Sequence, residues 1–375
     1  MKKLILVLLF LSCVATSTGY ALDEACSNTG AVGETLPKKI IHAIPAREQW
    51  NANSGYCGET SILSAGLYYG QYVSQYDARV LANINFPTKI MQANEILIGD
   101  INDSSVYNNI TNSAINMHLN YEEFNNIPHA DRTSQEFLTW IKRMLIGGYP
   151  TIIGVYENSS VFGQSPPDPE YDHIVPIFGI ESQHNLNENP VTYYADDVIF
   201  LHDNGLFTGT GYSPQGCYQY EVGPFQKSRE GADSPNAKVY SVSDNANKKG
   251  NYGIAITGVK GIGIKPITIQ TNPNYEIPKM QHQSNTRPAP ELMTLTIVVS
   301  NLTPNTSYTL LRYSNFNQLP INDDFSNSYG NPTSQCKIWI TSGNTFTKSV
   351  QIYSNTMAIY RAVTTKSFGP VLPDC

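Results

Sequence analysis

The chain has 375 residues, only 15% of them charged, and a formal net charge of −7. That length accommodates two domains of ordinary size. The missing basic excess excludes a nucleic-acid partner, because little is present to neutralise phosphates.

Residues 1–21 start with Lys2 and Lys3, run through the apolar stretch "LILVLLFLSCVA" and reach small residues at Gly19 and Ala21. This is the layout of a signal peptide, and cleavage is expected after Ala21. The apolar run is too short for the roughly 20 residues of a spanning helix, and no later stretch reads as a transmembrane segment. The expectation is a secreted protein, or one in another extracytoplasmic compartment. Cys13 leaves lipid attachment in a bacterium as a minor alternative. Five Asn-x-Ser/Thr triplets, at Asn102, Asn109, Asn158, Asn301 and Asn305, would be glycan acceptors in a eukaryotic source.

From Leu22 to about 270 the pattern mixes helix and strand. Ile62, Ala65, Leu67 and Tyr69 follow Cys57 at near-helical spacing. "TSQEFLTWIKRMLIGG" is a clearer helix, with Thr133 or Ser134 as its cap and Gly147-Gly148 as its stop. After Tyr149 the segments "PTIIGVYE", "HIVPIFGIES", "DDVIFLHDN" and "NYGIAITGV" read as short strands. "GVKGIGIK" lacks a following helix and reads as a β-turn, not as a phosphate loop. Residues 271–290 are polar and proline-rich, which suggests a linker. From 291 to 375 five strand candidates at close spacing predict a small all-β sandwich. The phrase "LTIVVSNLTPNTSYTLLRY" resembles the middle of a fibronectin type III or immunoglobulin-like domain. The whole is an α+β chain.

Without Cys13, five cysteines remain: Cys26, Cys57, Cys217, Cys336 and Cys375. An odd number in an oxidising compartment leaves one thiol over. Four cysteines can pair in three ways. The economical choice joins Cys26 to Cys217 and Cys336 to Cys375, which keeps each bridge within a domain and leaves Cys57 free.

Cys57 stands where a helix should begin, and there unpaired N–H groups and the helix dipole would stabilise a thiolate and later an oxyanion. His173 opens an interior strand, and the next strand ends at Asp203. If the two pair antiparallel, the start of one lies beside the end of the other. That arrangement supplies a base, His173, and an orienting group, Asp203 or Asn204, for a thiol nucleophile. No metal is expected, because His202-Asp203 and Asp196-Asp197 lack a ligand spacing.

A cysteine in "YCGETS" before a helix, then a His opening an apolar strand, then Asp or Asn ending the next, resembles the papain-like cysteine peptidases. The nearest likeness is to the bacteriocin-processing type. The resemblance implies a papain-like domain over 22–270, with Cys57 as nucleophile, His173 as base and later acid, and Asp203 as the group that holds the imidazole. It implies no cofactor, and a peptide or protein substrate. It also implies two oxyanion donors, the first being the Cys57 N–H. The usual Gln, six positions before the cysteine, is replaced by Asn51. The second donor is therefore Gln49 on a longer loop, or the amide of Asn51 or Asn53. Papain's second cysteine and aromatic residue after the nucleophile are missing.

The functional expectation is a secreted hydrolase that cleaves an amide through a thioester. The alternatives are a binding or adhesion protein whose sandwich contacts a cell surface or glycan, with an inactive front domain, and an acyltransferase or amidase using the same thiol.

Overall fold

The computed structural model describes residues 32–34, 38–41, 44–50, 55–84, 96, 98, 109–125, 133–158, 173–205, 216–244, 251–273, 287–366 and 373–375. Residues 1–21, Cys26, Asn51, Asn53 and Asn102 lie outside them. No helix among the described residues is long and apolar enough to cross a membrane.

The front of the chain runs β1 (Val32–Glu34), β2 (Lys38–Ile41), α1 (Cys57–Tyr68), β3 (Gln71–Tyr72), α2 (Gln75–Ala82), α3 (Asn109–Asn116), β4 (Leu119–Asn125) and α4 (Ser134–Ile146). It continues through β5 (Thr151–Glu157), β6 (His173–Ser182), β7 (Val198–Asp203), β8 (Gly216–Glu221), β9 (Gln226–Lys227), β10 (Tyr240–Ser243) and β11 (Tyr252–Val259). Apart from β3, these strands form one sheet, antiparallel except where β9 meets β10.

This sheet is buried on both faces. Neighbouring residues of a strand point to opposite sides, so Ile152, Ile174 and Ile254 join one core, which includes Ile62 and Ala65 of α1. Ile153, Val175 and Ala255 join another, which includes Phe137 and Ile141 of α4. The α4 helix starts at the expected Thr133, whose hydroxyl accepts from the Glu136 N–H while the Glu136 carboxylate accepts from the Thr133 N–H. This is a reciprocal cap.

The back of the chain holds β12 (Ile264–Lys265), β13 (Ile267–Asn272), β14 (Leu292–Val299), β15 (Ser307–Tyr313), β16 (Ser334–Trp339), β17 (Phe346–Tyr353) and β18 (Ala358–Thr364). All five strands expected beyond residue 291 are present, in two antiparallel sheets, β13-β14-β17 and β12-β18-β15-β16. Met293, Leu295, Ile297 and Val299 alternate into the space between them, as one buried face of a strand requires.

The boundary expected at 270 falls inside β13, which pairs along Ile267–Asn272 with β14. The C-terminal strands therefore begin before the expected linker, and Thr271 and Asn272 are strand residues. Nor do the two halves have separate cores. The short strand β3, from the front half, pairs with Ala358 and Ile359 of β18. Leu63 and Leu67 of α1 pack among Ile267, Leu295 and Tyr360. The helix that carries Cys57 thus lies between the front sheet and the sandwich.

Cys336 and Cys375 are disulfide-bonded, as expected. Cys217 is also in a disulfide. Of the potential glycan acceptors, Asn109 and Asn158 are buried, and the Asn158 side chain donates to the carbonyls of Ser234 and Ala237. Asn301 and Asn305 are exposed in the β14–β15 turn.

Candidate active site

Cys57 is the first residue of α1, and its thiol is free and half-buried. The first intrahelical bond runs from the Thr60 N–H to the Tyr56 carbonyl at 2.9 Å. The N–H groups of Cys57, Gly58 and Glu59 therefore precede the helix's own hydrogen-bond ladder. A side chain at Gly58 is impossible without rearrangement, since a Cβ there would lie 2.2 Å from the Ile96 carbonyl oxygen.

Strands β6 and β7 pair antiparallel, with Ile177 opposite Leu201 and Glu181 opposite Val198. That register brings the start of β6 to the end of β7. His173 Nε2 lies 3.2 Å from Oδ1 of Asp203. The Cys57 thiol lies close enough to the same ring for its hydrogen bonding and charge to act on the imidazole. Three residues far apart in sequence, Cys57, His173 and Asp203, are thus brought close together.

His173 is almost wholly buried. Burial works against its imidazolium, but hydrogen bonds to Asp203 and Cys57, and their charges, outweigh it and raise the pKa to about 10. Asp203 has further partners that the sequence did not reveal. Its Oδ1 accepts the Gly205 N–H at 2.8 Å, and its Oδ2 accepts the Tyr240 hydroxyl at 2.7 Å. Burial and the Asp203 charge push the Tyr240 phenol well above its usual range, so it stays a donor. The Tyr240 ring also stacks on His173, with centroids 5.5 Å apart.

No family model, characterised protein or solved structure matches this chain. The site must be read from its own geometry.

Asn204, the alternative orienting residue, does not take that place. Its Nδ2 lies 3.0 Å from the Cys57 carbonyl, 2.9 Å from Ser61 Oγ and 3.0 Å from the Ile174 carbonyl. Ser61 in turn donates to the Ile174 carbonyl at 3.0 Å. Asn204 is a clamp between α1 and β6, and the imidazole meets Asp203 instead.

Gln49 is brought to the start of α1. Its Oε1 accepts the Tyr56 N–H at 2.6 Å, its Nε2 donates to the Gly205 carbonyl, and its backbone N–H donates to the Asn204 carbonyl at 2.7 Å. One amide side chain therefore links the turn after Asp203 to the residue before Cys57. The second hydrogen on Nε2 remains for a further acceptor.

His202, next to Asp203, points to the other side of the sheet. It stacks on Phe178 at 3.9 Å, and burial lowers its pKa to about 4 despite a hydrogen bond donated by the ring to the Ile44 backbone. It is a neutral core residue. Among the described residues no three His, Cys, Asp or Glu side chains converge as metal ligands would.

Tyr240 carried no signal in the sequence beyond being an aromatic residue in a strand pattern. Its hydroxyl needs a partner once buried, but the partner lies 37 residues earlier in the chain.

Proposed function

We propose that this chain is a cysteine-dependent hydrolase of amide bonds, with a papain-like order of nucleophile, base and orienting acid. The observation that supports this best is the buried His173 imidazole, held by Asp203 and with a pKa raised by both Asp203 and the nearby Cys57 thiol. A structural thiol needs no such partner. A thiol meant to attack does, because the thiolate is the nucleophile and a neighbouring imidazolium stabilises it.

In the proposed reaction the Cys57 sulfur attacks the carbonyl carbon of the substrate, and the carbonyl electron pair moves onto oxygen. The Cys57 N–H and the Gln49 side-chain amide stabilise the oxyanion. The carbon–nitrogen bond breaks as His173 gives its proton to the leaving amine, which yields a thioester. His173 then takes a proton from water, the hydroxide attacks the thioester carbon, and Cys57 leaves as the thiolate with a carboxylic acid released. Asp203 keeps the ring oriented throughout, and Tyr240 and Gly205 keep Asp203 in place.

The substrate class is a peptide or protein outside the cytoplasm. The test uses full-length protein, treated with iodoacetamide from pH 5 to 9, mapped by mass spectrometry and assayed on fluorescently labelled casein. The expected result is selective modification of Cys57 near neutral pH, with loss of casein hydrolysis in step. An unmodified Cys57, or casein hydrolysis that survives its modification, defeats the reading. Added amine that becomes covalently joined to the acyl product would instead identify acyl transfer.

A further inference from the structure

Helix α1 begins without the usual cap. Tyr56 holds the cap position and makes no side-chain cap hydrogen bond, where Ser, Thr or Asp would ordinarily supply an acceptor. The turn that presents Cys57 is held from outside the helix, by Gln49 and Asn204 and also by one guanidinium.

Arg79 of α2 is fully buried. Its Nε donates to Oε1 of Glu59, 2.5 Å away, and its Nη2 donates to the Gly55 carbonyl. Its guanidinium carbon lies 3.8 Å from the centre of the Tyr56 ring, and that ring meets Trp50 edge-on at 5.0 Å. The Glu59 oxygen also accepts the Ile96 N–H at 3.1 Å. Gly55, Tyr56 and Glu59 bracket Cys57 in sequence, and all three are tied to the same side chain. Gly55 has φ +95°, so the bend before Cys57 uses a backbone state that most residues avoid.

Burying this pair is not needed for stability in general. Buried ion pairs can often be replaced by apolar groups at little or no cost. A planar guanidinium fork does offer direction, because several donors and a stacking face are fixed in one plane. We propose that Arg79 and Glu59 are positioning residues, which aim the Cys57 thiol at His173 by fixing the backbone on both sides of it. This rests on the hydrolase reading of Cys57 and His173.

The test compares full-length wild type with Arg79→Lys and Glu59→Gln. Lysine keeps the charge but cannot bond Glu59 and Gly55 from one plane. Glutamine keeps an acceptor for Ile96 and removes the charge. For each protein, circular dichroism reports folding, iodoacetamide reports the Cys57 alkylation rate at pH 7, and labelled casein reports kcat and KM. Both variants should stay folded, alkylate at least about tenfold more slowly and lose kcat at unchanged KM, since a displaced nucleophile costs rate and not binding. The double variant should be no worse than the weaker single one, as members of one unit behave. If the charge variants do not fold, Tyr56→Leu decides: it leaves the ion pair intact, removes the stacking partner, and should lower kcat in a folded protein. Parental alkylation and kcat in the folded variants would overturn this inference alone. A wild-type Cys57 that resists iodoacetamide would overturn the hydrolase reading, and this inference with it.

Discussion

The Tyr240 hydroxyl donates to Oδ2 of Asp203 at 2.7 Å, while the other oxygen of that carboxylate meets His173. Asp203 is therefore fixed at both oxygens, and the imidazole inherits that orientation. Tyr240→Phe keeps the ring against His173 and removes only the hydroxyl. A hydrogen bond to a charged group contributes about 1.5–3 kcal/mol, so kcat should fall roughly tenfold or more and the melting temperature should drop. Steady-state kinetics and thermal unfolding on the purified variant check this, and parental kcat would show that Asp203 needs no such support.

Asp203 and Asn204 are neighbours with different tasks. Asp203→Ala removes the partner of the imidazole, and by the behaviour of other triads kcat should fall by roughly three to four orders of magnitude. Asn204→Ala instead removes the clamp joining Cys57, Ser61 and Ile174. Its main cost should be stability, about 2–3 kcal/mol for the buried groups left unpaired, read as a lower urea midpoint. The larger kinetic loss in the Asn204 variant would reverse the assignment.

The two buried histidines should give opposite pH dependences. The pKa of His173 is raised from 6.5 to about 10, so its contribution to stability is complete below about 6.5 and fades as pH rises through about 10. Hydrolysis should show its alkaline limb in the same region. His202 is depressed from 6.5 to about 4, so its contribution is complete above about 6.5 and is lost as pH falls through about 4, roughly 3 kcal/mol in all. Urea unfolding from pH 4 to 10 measures both effects. His202→Phe should flatten the acid side only, and an unchanged acid side would remove His202 as its cause.

Because α1 packs against both the front sheet and the sandwich, the front half should not fold alone. A chain ending at residue 263 would lose the partners of Leu63 and Leu67 and the strand that β3 pairs with. Exposing such side chains costs about 1.5–3 kcal/mol each, against a total stability of only about 5–15 kcal/mol. Expression of that fragment should give insoluble or unfolded protein, by sedimentation and circular dichroism. A soluble fragment that hydrolyses casein would show the sandwich to be a separate module.

Much of this was legible in the sequence because it is local. The cap at Thr133, the alternation of Met293 to Val299 and the run of apolar residues after His173 each reflect a helical or strand period acting within a few residues. The pairing of β6 with β7 was legible as a condition, that the two strands run antiparallel. That single inference brought His173 to Asp203. Tertiary structure alone decided the rest, because it depends on groups that meet only when distant segments pack. Asn204 turned from candidate orienting group to clamp because α1 and β6 present three oxygens around its amide. Tyr240 reached Asp203 across the sheet, and Arg79 reached both sides of Cys57 from another helix. The domain boundary moved for the same reason: hydrophobic patterning shows that a face is buried but not against what, and α1 is apolar on faces that serve two different sheets. Sequence periodicity fixed which residues had to be inside, and the packing of α1 between front sheet and sandwich determined which of them became neighbours of the thiol.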